Sequence, residues 1–157
     1  GDHRDLHSCP TRRSSDLLIM TTYALVFRDE MTLQSVPWRG VVLDEAQNIK
    51  NSDSKQSQAV RRLVNLDASD KAEDTEFAPP FRIALTGTPV ENRLSELWSI
   101  MDFLNPGYLG QKQFFQRRFA LPIEKYGDSA SLQTLRSLVQ PFILRRVKTD
   151  QIGRAHV

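Results

Sequence analysis

Two adjacent acids, Asp44 and Glu45, are the side chains of this sequence best suited to chemistry. They follow directly on the short apolar run 41–43. About forty residues later a second apolar run ends in three polar or small residues: Thr86, Gly87 and Thr88. Runs of this length predict parallel strands that are buried on both faces, and ligands in such sheets lie beyond the carboxyl ends of the strands. An acid pair at that edge can hold Mg²⁺ and a water, as nucleotide hydrolysis requires.

The elements that would position these residues follow from apolar runs and amphipathic periodicity. The predicted strands are Leu17–Thr21, Val41–Asp44 and Ile83–Thr86. The predicted helices are Tyr23–Ser35, Ser54–Leu66, Glu91–Leu104, Gln111–Phe119 and Ala130–Val139. Strands that alternate with helices predict an α/β fold with a parallel sheet flanked by helices. No apolar stretch approaches the roughly 20 residues of a membrane span, so we expect no membrane partner.

The 157 residues divide into one predicted domain and two terminal segments. Residues 1–17 and 152–157 resemble translated sequencing adapter, so both are excluded from the fold as one excludes tags. A natural polar tail is the alternative. The predicted domain then spans residues 18–151. Within it, residues 67–80 carry five acids against one lysine and end in two prolines, which favours an exposed loop over a functional acidic patch.

Composition excludes several kinds of site from residues 18–151. All three histidines and the only cysteine lie in the terminal segments. A zinc site, a Cys or His nucleophile and a disulfide are therefore excluded from the domain. The ends also hold four of the 21 basic residues and three of the 19 acidic ones, which leaves a net charge of +1. Any nucleic-acid binding must come from local placement of Lys and Arg.

Four blocks stand in a characteristic order along residues 18–148. They are Thr21-Thr22-Tyr23, then Asp44-Glu45-Ala46-Gln47 with its continuation to Asn51, then residues 85–106 with Leu85-Thr86-Gly87-Thr88-Pro89, and finally residues 141–148. Together they resemble the motifs of Swi/Snf-type ATPases, which belong to the superfamily-two, helicase-like motors. The form of the blocks is most similar to that of bacterial members.

The resemblance implies part of a RecA-like lobe of the P-loop NTPase class, with ATP bound between two such lobes and double-stranded DNA as the track. Asp44 would hold Mg²⁺ through water, and Glu45 would orient or deprotonate the attacking water. Gln47 would couple the site to the facing lobe. Thr86 and Thr88 would sense whether ATP is bound, and Gly87 between them would permit a tight turn.

The resemblance also implies contacts with duplex DNA at five residues: Thr22, Tyr23, Arg145, Arg146 and Lys148. Hydroxyls and basic side chains there would contact phosphates without reading sequence. Each group of residues has a structural alternative. Tyr23 could pack in the core at a strand end, and the basic residues could form a solvated charge run. The acid pair could be a solvated strand end, and Thr88 an ordinary helix cap.

The sequence lacks the phosphate cradle that such an ATPase needs. A P-loop ends in Gly-Lys-Ser/Thr, and no glycine precedes a lysine in this chain. In the family, the P-loop and first strands precede the first block. The second lobe follows the last block and supplies an arginine finger, which contributes about 10³–10⁵ in rate. We therefore expect a fragment of an ATP hydrolase that is inactive by itself, with an unpaired sheet edge and a tendency to aggregate.

Two other classes of function remain open from the sequence. One is a catalytically inert lobe that binds DNA or protein. The other is a strand-separating helicase or a restriction-type translocase with an appended nuclease. The bacterial form of the blocks predicts a cytoplasmic protein that associates with the nucleoid.

Overall fold

The computed structural model describes residues 18–63, 80–87 and 93–144. Both terminal segments and all but the last residue of the predicted acidic loop lie outside the described residues. The regular elements, in chain order, are α1 (Tyr23–Arg28), α2 (Glu30–Gln34), β1 (Gly40–Leu43), a 3₁₀ turn (Ala46–Ile49), α3 (Lys55–Arg62), β2 (Phe81–Ala84), α4 (Leu94–Leu104), α5 (Lys112–Phe115), a π turn (Gln116–Ala120), α6 (Leu121–Tyr126), α7 (Ser129–Val139) and a second 3₁₀ turn (Gln140–Phe142).

The described sheet consists of β1 and β2, which run parallel in the register Gly40 to Phe81 through Leu43 to Ala84. Backbone pairing continues one residue beyond β2, because the Leu85 amide donates to the Leu43 carbonyl at 2.7 Å. The connection between the strands contains α3, as a parallel crossover requires. Two of the three predicted strands and their parallel pairing are thus confirmed.

The third predicted strand, Leu17–Thr21, is wrong for the residues that the structure describes. Residues 18–21 have no regular secondary structure, and Leu18 and Met20 are 83% and 90% exposed. Thr22 then caps α1 by accepting a hydrogen bond from the Leu25 amide at 3.3 Å. An apolar run becomes a strand only where a neighbouring strand pairs with it, and no described strand lies beside this one.

The expectation that both strands are buried on both faces is also wrong. Side chains alternate across a strand, and here only one of the two faces is covered. Val42 and Ile83 are 55% and 43% exposed, whereas Leu43 is buried at 6%. The helices that cover the sheet within the described residues pack on the Leu43 side, so an apolar strand sequence alone did not reveal how many layers surround it.

Two hydrophobic cores organise the described residues. The sheet core consists of Val26, Leu43, Ala46, Ile49, Ala59, Val60 and Phe103. The helical core consists of Leu97, Trp98, Met101, Leu109, Phe115, Phe119, Ala120, Leu135 and Val139. Helix α4 contributes to both and therefore joins them. Its two aromatic residues, Trp98 and Phe103, are buried in different cores, Trp98 in the helical core and Phe103 in the sheet core.

The helices broadly follow the predictions, with two differences. The predicted helix Tyr23–Ser35 is divided into α1 and α2 at Asp29, which lies outside the helical region at φ −104° and ψ 23°. The predicted helix Gln111–Phe119 continues to Tyr126 through the π turn. Pro122 lies just after that turn, and because proline has no amide hydrogen it cannot donate the regular helical bond four residues back.

None of the described helices is long and apolar enough to cross a lipid bilayer.

Candidate functional site

The two acids lie where β1 ends and the first 3₁₀ turn begins. Glu45 is the only non-glycine residue with positive φ among the described residues, at φ 50° and ψ 53°. This left-handed conformation turns the chain sharply from the strand into Ala46–Ile49. The Ala46 amide then donates to the Leu85 carbonyl at 2.8 Å, which attaches the turn to the end of β2. The acid pair is therefore fixed to both strand ends.

The peptide group that joins Asp44 to Glu45 is hydrogen-bonded on both sides. Its N–H, on Glu45, donates to Oδ1 of the Asp44 side chain at 2.9 Å. Its carbonyl, on Asp44, accepts from the Tyr23 hydroxyl at 2.7 Å. The next carbonyl, on Glu45, accepts from the Asn48 amide at 3.0 Å and from Asn48 Nδ2 at 2.9 Å. The backbone of the acid pair is thus held by residues on both sides of it.

Gln47 connects the acid pair to the second strand. Its side-chain Nε2 donates to Oε2 of Glu45, and its Oε1 accepts from the Thr86 hydroxyl at 2.9 Å. A carboxamide is suited to this position because it offers a donor and an acceptor at once. The three side chains form a continuous chain of hydrogen bonds across the carboxyl edge of the sheet.

The acid pair faces solvent and carries no ion-pair partner. Asp44 and Glu45 are both exposed, and none of the ion pairs between described residues includes either of them. Tyr23 is affected by the pair. Partial burial raises the pKa of the Tyr23 phenol above its ordinary value of 10.0, and the negative charges of Asp44 and Glu45 raise it further. The phenol therefore remains a hydrogen-bond donor at neutral pH.

The donor set fits a hard divalent cation held partly through water. Asp44 Oδ2 and Glu45 Oε1 have no hydrogen-bond partner among the described residues, and carboxylate oxygens are the ligands that Mg²⁺ prefers. The described ranges contain no group of three or more carboxylate, His or Cys side chains arranged to enclose a metal. Such an open site suits Mg²⁺, which usually keeps several waters and binds few protein ligands.

The far end of the first 3₁₀ turn is held by a buried polar network that sequence reasoning missed. The Ile49 carbonyl accepts from the Ser99 hydroxyl at 2.6 Å, and Ser99 is 1% exposed. Arg61 donates to the Ser99 carbonyl at 2.6 Å and forms an ion pair with Asp102 at 2.7 Å. Polar residues on the inner faces of two amphipathic helices were the signal that could have revealed this network.

The structure brings five of the predicted site residues together at the sheet edge: Tyr23, Asp44, Glu45, Gln47 and Thr86. Gly87 follows in an exposed bend, where an added Cβ would meet nothing within 4 Å. The Thr22 hydroxyl is occupied as the cap of α1. The remaining four, which are Thr88, Arg145, Arg146 and Lys148, lie outside the described residues.

Comparison with known proteins relates this edge to one family. The sequence profile of the SNF2-related domain matches residues 2–154. The chain belongs to the SNF2-related domain family. One SNF2-family relative is YwqA of Bacillus subtilis, whose name describes a candidate ATP-dependent helicase/translocase. It is 47% identical over 134 residues, which cover 85% of this chain and 13% of that protein. Another SNF2-family relative is the TATA-binding protein-associated factor MOT1 of Saccharomyces cerevisiae, 38% identical over 147 residues, or 87% of this chain and 7% of MOT1.

Solved structures agree with this family assignment. The SWI2/SNF2 ATPase core of Sulfolobus solfataricus in complex with dsDNA superposes with a TM-score of 0.69 at 46% sequence identity. The match covers 83% of this SNF2-family chain and 25% of the archaeal chain. The predicted α/β, RecA-like class is confirmed, and the chain spans a minor part of each relative that it matches.

Proposed function

We propose that residues 18–151 are the C-terminal part of the first RecA-like lobe of a longer ATP-dependent translocase that moves along double-stranded DNA. Residues 1–17 and 152–157 are not native to it. The observation that carries this proposal is the hydrogen-bonded chain from Glu45 through Gln47 to Thr86 at the carboxyl edge of a parallel sheet. Ligands of α/β sheets bind at that edge, and the relative YwqA is named as a candidate ATP-dependent helicase/translocase.

Asp44 and Glu45 divide the chemistry of ATP hydrolysis between them. Asp44 would hold Mg²⁺ through water with the oxygen that has no partner among the described residues, and the cation would neutralise charge on the β- and γ-phosphates. Glu45 orients the attacking water and accepts its proton. The hydrogen bond from Gln47 to one Glu45 oxygen leaves the other oxygen for the water.

Thr86, Gly87 and Thr88 report the state of the nucleotide. Thr86 donates to Gln47, so a displacement of this segment changes the position of the amide that supports Glu45. Gly87 leaves open space on its Cβ side, where a phosphate can approach the backbone. Gln47 passes the same change to the second lobe of the longer protein.

The DNA track is bound through its phosphates by residues from two blocks. Thr22 and the backbone amide of Tyr23 belong to the first block, and Arg145, Arg146 and Lys148 belong to the second. Support for duplex DNA as the partner comes from the solved archaeal core, which was determined in complex with dsDNA. The net charge of the chain is small, so these contacts depend on local basic residues and weaken as salt rises. A cytoplasmic, nucleoid-associated location follows from this partner.

The decisive test is DNA-dependent phosphate release by the longer protein that contains these residues. We expect Glu45→Gln to lower the rate of hydrolysis by about 10²–10⁴-fold while ATP and duplex still bind, because the amide cannot accept the proton. Glu124→Gln is the matched control: Glu124 lies on α6 and, among the described residues, accepts only from the Leu94 amide, which can also donate to a glutamine oxygen. Equal activity of the wild type and Glu45→Gln would reject the proposal, and an inactive wild type would favour the inert binding lobe.

The 157-residue chain provides a second test. Without a Gly-Lys-Ser/Thr cradle it should release no phosphate, whatever DNA and Mg²⁺ are added. Magnesium- and DNA-dependent hydrolysis that Glu45→Gln removes would contradict this expectation and would show that the fragment carries a complete site.

Translocation and strand separation can be distinguished with the longer protein. A translocase on intact duplex displaces a third strand from a triplex substrate without separating the two strands beneath it. Separation of the duplex at a comparable rate would favour the strand-separating helicase.

A further inference from the structure

The orientation of the peptide group between Asp44 and Glu45 sets the direction of the Glu45 side chain, which is the proposed general base. Rotation of this peptide changes φ of Glu45 and therefore the direction in which its side chain leaves the backbone. Glu45 has a left-handed backbone, which a residue with a Cβ adopts only when its surroundings hold it there. Something must therefore hold this peptide during catalysis.

The Tyr23 hydroxyl is the one side-chain donor outside the acid motif that reaches this peptide within the described residues. It lies 2.7 Å from the Asp44 carbonyl oxygen and 3.5 Å from that of Glu45. Within the described part of the chain, the N–H side of the peptide donates only to the Asp44 carboxylate, which belongs to the acid pair itself. Tyr23 thus supplies the contact that is independent of the acids.

Tyr23 is itself well fixed. It is the first residue of α1, whose start Thr22 caps, and its ring packs against the sheet core. Helix α1 in turn packs along α3. The phenol has a pKa above its ordinary range, so it keeps its proton across neutral pH and continues to donate. A short donor on a packed helix is suited to holding a backbone carbonyl in one place.

We propose that Tyr23 is a positioning residue for Glu45, whose hydroxyl holds the Asp44–Glu45 peptide and so directs the Glu45 carboxylate toward the attacking water. This role rests on the proposed function. It also assigns the Tyr23 hydroxyl to the acid pair and leaves contact with DNA phosphate to its neighbour Thr22 and to the basic residues. The first residue of α1 is thereby linked to the hydrolytic centre through one hydrogen bond.

The test is Tyr23→Phe in the longer protein, measured with saturating duplex. Loss of one hydrogen bond that orients the base should lower kcat about tenfold. KM for ATP and Kd for duplex should stay within about twofold, because the hydroxyl donates to the Asp44 carbonyl and is not needed to bind either ligand. Tyr108→Phe is the matched control, since its phenol also donates to a backbone carbonyl, that of Leu138 at 3.1 Å, in the helical part of the chain. Its kcat should remain at the wild-type value.

A double-mutant cycle separates positioning from general loss of structure. If Tyr23 acts through Glu45, Tyr23→Phe should lower the single-turnover rate further by less than about twofold when Glu45→Gln is already present. The same tenfold loss in both backgrounds would overturn the proposal, as would an unchanged kcat with weaker duplex binding. An unimpaired Glu45→Gln enzyme would instead overturn the proposed function together with this role, so the two failures are distinguishable.

Discussion

The helical core and the sheet core differ in how completely they are covered. The helical core takes all its residues from positions 97–139, and its members are at most 9% exposed. The sheet core takes residues from Val26 to Phe103, and the uncovered face of its two strands exposes Val42, Phe81, Ile83 and Leu85 by 43–55%. All described residues of the proposed catalytic edge lie beside the sheet core, whose strands are exposed on one face. The helical core is therefore the more completely packed of the two regions, and it contains none of the described residues of the proposed site.

This difference has a physical origin. Contacts between helices close in sequence cost little loop entropy, so the helical core forms from one continuous segment. A parallel sheet needs crossovers and a layer on each face, so its completion depends on distant segments. In our proposal the rest of the longer protein supplies the second layer. The predictions below test whether the two regions differ as described.

The largest effect should come from truncating the centre of the helical core. Phe115 is fully buried and contacts Phe119, with ring centroids 5.6 Å apart. Phe115→Ala should lower the free energy of unfolding by about 3–5 kcal/mol, from lost burial and the cavity that remains. The adjacent Phe114 is 57% exposed, and Phe114→Ala should cost under about 1 kcal/mol. Denaturant melts of both variants measure this, and equal losses would show that the helical core is not closed.

A smaller loss of stability should follow from removing the polar contacts between α3 and α4 beside the sheet core. Arg61→Met removes the partner of Asp102 and a donor to the Ser99 carbonyl, and should cost about 2 kcal/mol. Arg62→Met is the control on the next residue, where the guanidinium pairs with Glu30 at the surface and contributes little. Denaturant melts should rank Arg61→Met as clearly the more harmful, and the reverse order would refute the structural role of the network.

The exposed sheet face should govern association more than stability. Val42→Thr and Ile83→Thr remove apolar surface where little is buried, so each should change the free energy of unfolding by under about 0.5 kcal/mol. Both should reduce self-association in sedimentation experiments. Leu43→Thr is the contrast, because Leu43 faces the sheet core and is 6% exposed; it should destabilise the chain without improving solubility. An unchanged association state in the first two variants would show that this face is covered in solution.

The smallest effect should be a pH dependence of the free energy of unfolding that arises from Tyr23, which packs against the sheet core. The folded-state pKa of Tyr23 lies above its unfolded value near 10.0. Its stabilising contribution is therefore complete below that value and is lost as pH rises through the folded-state pKa. Melts between neutral and strongly alkaline pH should show this loss in the wild type, and it should be weaker in Tyr23→Phe. An identical alkaline dependence in both proteins would place the titrating group elsewhere.

The sequence predicted the elements well where local periodicity decides them. The apolar faces of α3, α4 and α7 and the turn residues after Leu104 led to helices at nearly the observed positions. The predictions from sequence were wrong about a strand at residues 18–21 and about burial of both faces of β1 and β2. Both features depend on which segments lie beside the strand. Only the C-terminal end of the helix Lys112–Tyr126 was missed, because the π turn lets the helix continue past Phe119 and accommodate Pro122.

The site was predicted by residue type but not by geometry. The acid pair and Thr86 were expected at one edge because parallel strands end together, and they do meet there. The role of Gln47 as a bridge, the left-handed backbone of Glu45 and the contact from Tyr23 had no local signal. The bonds concerned join residues 21 and 39 positions apart in the chain.

The sequence by itself determined the family, the α/β class and which side chains can do chemistry, since these depend on residue identity, order and spacing. Only the tertiary structure decided how the acid pair is directed and which face of the sheet is covered. The reason is that a peptide plane and a layer of packing are each fixed by partners that arrive from elsewhere in the chain. Tyr23 is the clearest case: its identity was visible at once, but its partner at Asp44 was visible only after folding.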